Sequence, residues 1–194
     1  SSEGFRSAIE RLSGLRVLVV GDIIFDRYTY VHVQGLTSKN RTLSSRYLDE
    51  EIHAGGALAI AKHIRAFTDQ VDVLSLIGSE AWARSLLNKH LPGSIEYILR
   101  RSDFTTVVKQ RFVEKEKRSR ELNKLFALNI LDQNPPNSSL QSEVCDLLLR
   151  IVKEYDLVIA ADFGHGLLQE KVRQLIQKES RFLSLNCQTN SFNH

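Results

Sequence analysis

The sequence predicts an α/β protein, a doubly wound and mostly parallel sheet with a small second β-sheet lying over it as a lid. Three observations carry this. Four short, β-branched apolar runs, at 16–21, 71–78, 156–162 and 182–186, read as buried strands. Helical segments at 57–67, 80–90, 140–153 and 169–178 alternate with them, as crossovers of a parallel sheet require. A second kind of strand, apolar and polar by turns, fills two clusters at 28–52 and 105–131. Inside a sheet covered on both faces these strands would bury their polar side, so they call for a sheet of their own.

In chain order, 5–12 has helical spacing and stops at Ser13-Gly14. The first buried strand closes on Gly21, and 22–26 reads as a turn that leaves Asp26 just outside the strand tip. Residues 28–33 and 42–52 alternate, joined by a polar link at 35–40. Gly55-Gly56 opens an apolar helix with no polar side chain until Lys62. The second buried strand and its helix follow; after Pro92-Gly93 comes a short strand at 95–99. Segments 105–113 and 125–131 alternate again, and the stretch 133–139, with Pro135-Pro136, is a loop. A helix, the third buried strand, another helix and the fourth buried strand complete the pattern.

The 194 residues are 42% hydrophobic and 25% charged, ordinary values for a single globular domain. The longest apolar runs fall far short of the ~20 residues that span a bilayer, and no secretion signal opens the chain. A cytoplasmic protein with no membrane partner is expected. Cys145 and Cys187 lie far apart and match no metal or redox spacing. A net charge of +3 gives no ground for a nucleic-acid partner. Between 100 and 124, however, nine Lys or Arg face four acids, which reads either as a solvated ribbon or as a surface meeting a phosphorylated substrate. The chain starts at Ser1 without an initiator Met, which reads as a segment of a longer polypeptide.

Ligands of open α/β sheets bind beyond the carboxyl ends of the strands, and the candidate residues stand at such ends. Asp22 and Asp26 can accept from paired sugar hydroxyls, or can cap local backbone. Gly55 and Gly56 either let a ligand approach the backbone at a helix amino terminus or make an ordinary tight turn. Lys109 and Arg111, two apart on a strand, share a face and suit a phosphate, unless they simply face solvent. Asp162-Phe-Gly-His-Gly166 puts a carboxylate, two glycines and His165 at the tip of the third buried strand; His165 is an anion contact or a bystander. Asn186, ending the last buried strand, can point at phosphate or metal-bound water. No GxGxxG and no GxxxxGK[ST] occurs, so neither a dinucleotide fingerprint nor a P-loop is supported.

The succession Val-Val-Gly-Asp-Ile-Ile-Phe-Asp-Arg-Tyr at 19–28, then Ala-Gly-Gly-Ala-Leu-Ala-Ile-Ala at 54–61, resembles the opening of ribokinase-type (PfkB) sugar kinases. Within them it looks most like the heptose-7-phosphate kinase domain of ADP-heptose synthesis proteins. Thr-Val-Val-Lys-Gln-Arg at 106–111 and the segment 158–166 are similar to later segments of that subgroup, in the same order. The resemblance implies that 1–194 is the amino-terminal part of one Rossmann-like, ribokinase-like domain whose lid dimerises. It implies transfer of the γ-phosphoryl group of ATP, with Mg2+, to a sugar or sugar-phosphate hydroxyl. By position, Asp22, Asp26, Gly55, Gly56, Lys109 and Arg111 would serve the sugar, and Asp162, His165 and Asn186 would lie near the phosphates.

Three departures stand out. The family usually carries Asn just after the paired glycines, where this chain has Ala57-Leu58-Ala59-Ile60. The subgroup usually has Lys in place of His165 and an Asp-Pro-Lys-like segment in place of Asn186-Cys187-Gln188. No Gly-x-Gly-Asp occurs, so the family's anion hole and catalytic base are expected outside these residues, with no catalytic residue within them. The alternative is a non-catalytic phosphosugar-sensing or structural domain of a larger protein.

Overall fold

The computed structural model describes residues 2–115, 122–132 and 134–188. After helix α1 (Ser2–Leu12), the core sheet is built from β1 (Val17–Gly21), β4 (Val71–Gly78), β5 (Ile98–Arg101), β8 (Leu157–Asp162) and β9 (Leu183–Cys187). Their order is β5-β4-β1-β8-β9, every pairing parallel. Helices α2 (Gly56–Ile64) and α3 (Ala81–His90) cover one face; α4 (Ser138–Ile151) and α5 (Glu170–Glu179) cover the other. The two-residue period of a strand explains the split. Val17 and Val19 pack toward α2 and α3, whereas Leu18 and Val20 pack toward α4 and α5. Such a doubly buried strand must be apolar throughout, which is why β1 reads Val-Leu-Val-Val-Gly.

The lid is a second sheet of β2 (Ile23–Leu36), β3 (Leu43–Gly55), β6 (Val107–Lys115) and β7 (Leu122–Ile130), in the order β3-β2-β6-β7. The two clusters expected to pair do so, through β2 against β6 in parallel; the outer pairs are antiparallel. The lid is rooted in the core at residues the sequence reading had assigned elsewhere. Asp26 was expected in a turn beyond a strand tip, yet it lies inside β2, which starts one residue after β1 breaks at Asp22. Residues 23–25 are apolar because they are shared, passing from core to lid while buried. The lid strands therefore run about 23–55 and 107–130 instead of starting at 28 and 105.

Three further expectations are corrected. The strand at 182–186 is an edge, not a buried strand: β9 has only β8 beside it among the described residues, and Leu185 is 67% exposed. The short strand at 95–99 begins later, at Ile98. The loop at 133–139 ends sooner, at Asn137, whose side chain accepts from Leu140 N at 2.9 Å and caps α4; Gln133 lies outside the described residues. So do the basic residues at 116–121 within the cationic stretch. No described helix is long and apolar enough to cross a membrane.

Candidate functional site

In the core sheet β4 and β5 lie to one side of β1, and β8 and β9 to the other. The chain thus reverses its winding between β1 and β8, where doubly wound sheets open a crevice at their carboxyl ends. Asp22, at the end of β1, sits in that crevice and is 5% exposed. Its Oδ2 accepts from the backbone N–H groups of Phe163 (3.1 Å) and His165 (3.2 Å), and its Oδ1 from Leu167 (3.4 Å). Burial raises the carboxyl above its ordinary value; the three N–H groups pull it back and the nearby Asp162 charge pushes it further up. Asp22, expected to meet the substrate, instead spends its side chain on the loop after β8.

The glycine pair serves the same corner. Gly56 has φ of +58°, and a Cβ there would lie 2.2 Å from the carbonyl oxygen of Asp22. Only glycine fits this left-handed, crowded position. The Asp22 carbonyl in turn accepts from Ala57 N at 2.8 Å, so the start of α2 is tied to the end of β1. At Gly55 a Cβ would lie 2.5 Å from Asp26 Oδ2, so the missing side chain leaves room for that carboxylate.

Above the crevice the lid presents its residues in rows, since residues paired across strands point to one face. One row is His53, Asp26, Lys109, Asn129; the next is Glu51, Tyr28, Arg111, Ala127. Arg111 Nη1 donates to Asp26 Oδ1 at 2.5 Å, and its guanidinium lies 5.3 Å from the centre of the Tyr28 ring. The ring of Tyr28 meets His53 edge-on. Lys109 is close enough to His165 that its charge, together with burial as the larger cause, lowers the imidazole below its ordinary value, against the opposing pull of Asp162. Lys109 of the lid row and the loop after β8 are therefore electrostatic neighbours.

Beside that loop, at the carboxyl ends of β8 and β9, lies a cleft of about 530 Å3 lined by Asp162, Gly164, Gly166, Arg173, Cys187 and Gln188 among others. Asp162 Oδ1 accepts from Gly164 N at 2.9 Å and the Asp162 carbonyl from Gln188 N at 2.9 Å. Asn186 pairs in register with Ala161 and does not line the cleft. Of the sequence candidates, Asp26, Gly55, Gly56, Lys109, Arg111, Asp162 and His165 converge; Asn186 stands one strand aside and Asp22 lies beneath. Tyr28 and His53 were not among the sequence candidates; reading β2 as a strand from Ile23 puts Tyr28 two residues beyond Asp26 on its face, and His53 pairs with Asp26 across β3. No group of three or more His, Cys, Asp or Glu among the described residues forms a metal cage.

Comparison with known proteins agrees with this architecture. No protein-family model matches the chain. The bifunctional protein HldE of Nitratiruptor sp. is 23% identical over 165 residues, covering 85% of this chain and 34% of that protein. The D-beta-D-heptose 7-phosphate kinase of Bordetella bronchiseptica is 22% identical over 168 residues, covering 86% of this chain and 51% of that enzyme. Phosphofructokinase-2 from Escherichia coli, solved with fructose-6-phosphate, superposes with a TM-score of 0.59 at 14% identity, over 91% of this chain and 56% of that one. Ribokinase from Giardia lamblia superposes with a TM-score of 0.56 at 15% identity, over 90% and 51%. The fold is thus that of ribokinase-like sugar kinases, and the sequence relatives are heptose 7-phosphate kinases and HldE proteins, the group the sequence resembles. The chain spans about a third to a half of the length of these curated relatives.

Proposed function

We propose that this chain holds the acceptor in an ATP-dependent kinase that phosphorylates a hydroxyl of a sugar or sugar phosphate, with a heptose phosphate favoured. The reading rests on one observation: Asp26, Lys109 and Arg111 share adjacent lid rows above the Asp162–Gly166 loop at the switch point of the sheet. In this reading Asp26 accepts from paired hydroxyls, oriented by Arg111, which Tyr28 supports from its ring face. Gly55 leaves room for the Asp26 carboxylate that meets the sugar, and Gly56 permits the tight turn beside it. Lys109 answers the negative charge of a phosphorylated acceptor or of the transferring group.

ATP with Mg2+ supplies the phosphoryl group. The cleft beside Asp162 suits a phosphate chain, having Gly164 and Gly166 for close approach and Arg173 for charge. Asp162, His165 and Asn186 belong to the phosphate side of the proposal. Phosphoryl transfer is chiefly positioning and electrostatic stabilisation around an oriented hydroxyl. These residues perform the positioning, while the base and the anion hole belong to sequence beyond them. The setting is cytoplasmic, where ATP and sugar phosphates meet, and the lid is the contact of a homodimer.

Calorimetry with heptose 7-phosphate and fructose 6-phosphate tests the proposal. Asp26→Ala and Lys109→Ala are each expected to weaken binding of the preferred acceptor by about tenfold or more, the loss of one charged hydrogen bond. In an ATP-consumption assay the 194 residues alone are expected to be inactive, and a polypeptide that also carries a Gly-x-Gly-Asp segment active. Binding unaltered by Asp26→Ala removes that residue from the site. Acceptor binding without turnover in any longer form favours the phosphosugar-sensing alternative.

A further inference from the structure

Between β7 and α4, Asp132 and residues 134–137 touch the two halves of the site. At the lid end, the Asp132 carboxylate accepts twice from Thr105, from its backbone N at 2.7 Å and from its hydroxyl at 2.6 Å. Thr105 stands two residues before β6, the strand that carries Lys109 and Arg111. Its neighbour Thr106, fully buried, donates its hydroxyl to Glu80 at 2.6 Å and accepts from Gly78 N at 2.9 Å. The root of β6 is thereby held by a carboxylate on either side.

At the other end the same segment presses on the loop after β8. Gly166 has φ of +91°, and a Cβ there would lie 2.9 Å from Pro135 Cβ and 3.0 Å from Pro136 Cδ. Gln169 Nε2 donates to the Pro136 carbonyl at 2.9 Å. Gln141, on the first turn of α4 and 4% exposed, donates Nε2 to the carbonyls of Gly166 (3.2 Å) and Leu167 (3.4 Å). Two consecutive prolines with fixed φ stiffen this end of the segment. The loop it presses on carries Asp162 and His165.

We infer that Asp132 is a positioning residue: through Thr105 at one end and Pro135-Pro136 at the other, it sets the lid cation Lys109 against the loop that holds Asp162 and His165. A two-point carboxylate clamp on one backbone N–H and its own hydroxyl fixes translation and rotation together, which a single hydrogen bond does not. Val107 and Val108 at the start of β6 are buried, so packing anchors the strand there, and the clamp adds a directional polar restraint beside it. That Lys109 meets an acceptor rests on the proposed function; the clamp itself does not.

The test uses the whole chain and does not need catalysis. In Asp132→Ala and in Thr105→Val, amide hydrogen exchange across β6 and β7 is expected to quicken by about tenfold or more while β1, β4 and β8 keep their protection. Thr105→Ser, which retains the hydroxyl, is expected to restore it. By NMR the His165 ring is expected to titrate nearer its ordinary value of 6.5 in the clamp variants, because Lys109 withdraws. Equal acceleration in core and lid, or no change in either, overturns the inference and marks Asp132 as merely structural or idle. If the wild-type chain fails to bind heptose 7-phosphate while exchange behaves as described, the proposed function fails and the clamp stands.

Discussion

At the scale of single residues, the informative side chains are those whose environment contradicts their chemistry. His165 is the clearest. Burial first and Lys109 second hold its imidazole below the ordinary 6.5, and Asp162 opposes them only in part. His90 is lowered by burial, Lys62, Lys89 and His53. For both, the unfolded chain binds a proton more readily than the folded one, so the folded state loses stability as pH falls below about 6.5, until it too takes up the proton. Urea midpoints of the wild type and of the double variant His90→Gln, His165→Gln should therefore converge or coincide near pH 7.5 in their pH slope. Between pH 6.5 and 5.5 the wild type should lose more. Parallel curves throughout would show that neither ring is shielded. Little of this was legible in the sequence: His165 stood out as a lone histidine at a strand tip, but nothing local revealed that Lys109, far along the chain, stands opposite. Asp26 was singled out for its place in a turn, yet it lies inside β2.

At the scale of elements, period-two alternation separated the lid from the core, and the pairing of its two clusters followed from it. What the alternation missed is where an element changes roles midway. β2 begins as buried core and ends as half-wetted lid, so its first residues look like the continuation of β1. β9 shows the opposite error: its run reads as buried, yet among the described residues only β8 pairs with it, and Ser184, Leu185 and Cys187 are exposed. The lid's outer reaches pose a similar question, because Leu36, Leu43, Tyr47, Leu122, Phe126 and Leu128 are all exposed, Tyr47 at 62%. A monomer rarely leaves so much apolar surface on one small sheet uncovered. Light scattering at micromolar concentration should therefore give a dimer mass, and Tyr47→Lys with Phe126→Lys should give a monomer with its far-ultraviolet circular dichroism intact. A wild-type monomer would refute lid-mediated association.

At the scale of the whole molecule, two sheets meet along one line, where the proposed acceptor site lies. The core supplies fixed backbone at Gly56 and the loop after β8; the lid supplies Gly55 and the charge of Asp26, Lys109 and Arg111. Binding sites between a rigid layer and a covering layer gain their geometry from the relation of the two, which no single segment encodes. The overall architecture was readable because hydrophobic period is a property of short windows, whereas the pairing of Arg111 with Asp26 joins residues 85 apart.

The parallel pairing at the centre of the lid has a consequence in time. β2 and β3 form a local hairpin, and so do β6 and β7, but β2 reaches β6 only after the chain has crossed the core through α2, β4, α3 and β5. Closing so long a loop is slow, and its entropy cost is recovered only when the intervening elements already hold the ends near one another. The lid seam joins residues 83 apart, as Ile24 and Val107, whereas β1 meets β8 across 140, as Val17 and Leu157, so the seam is expected to form before β8 docks on the core. Pulse-labelled hydrogen exchange after a denaturant jump should find amides of β2 and β6 protected before those of β8; protection arising first in β8 would reverse that order of assembly.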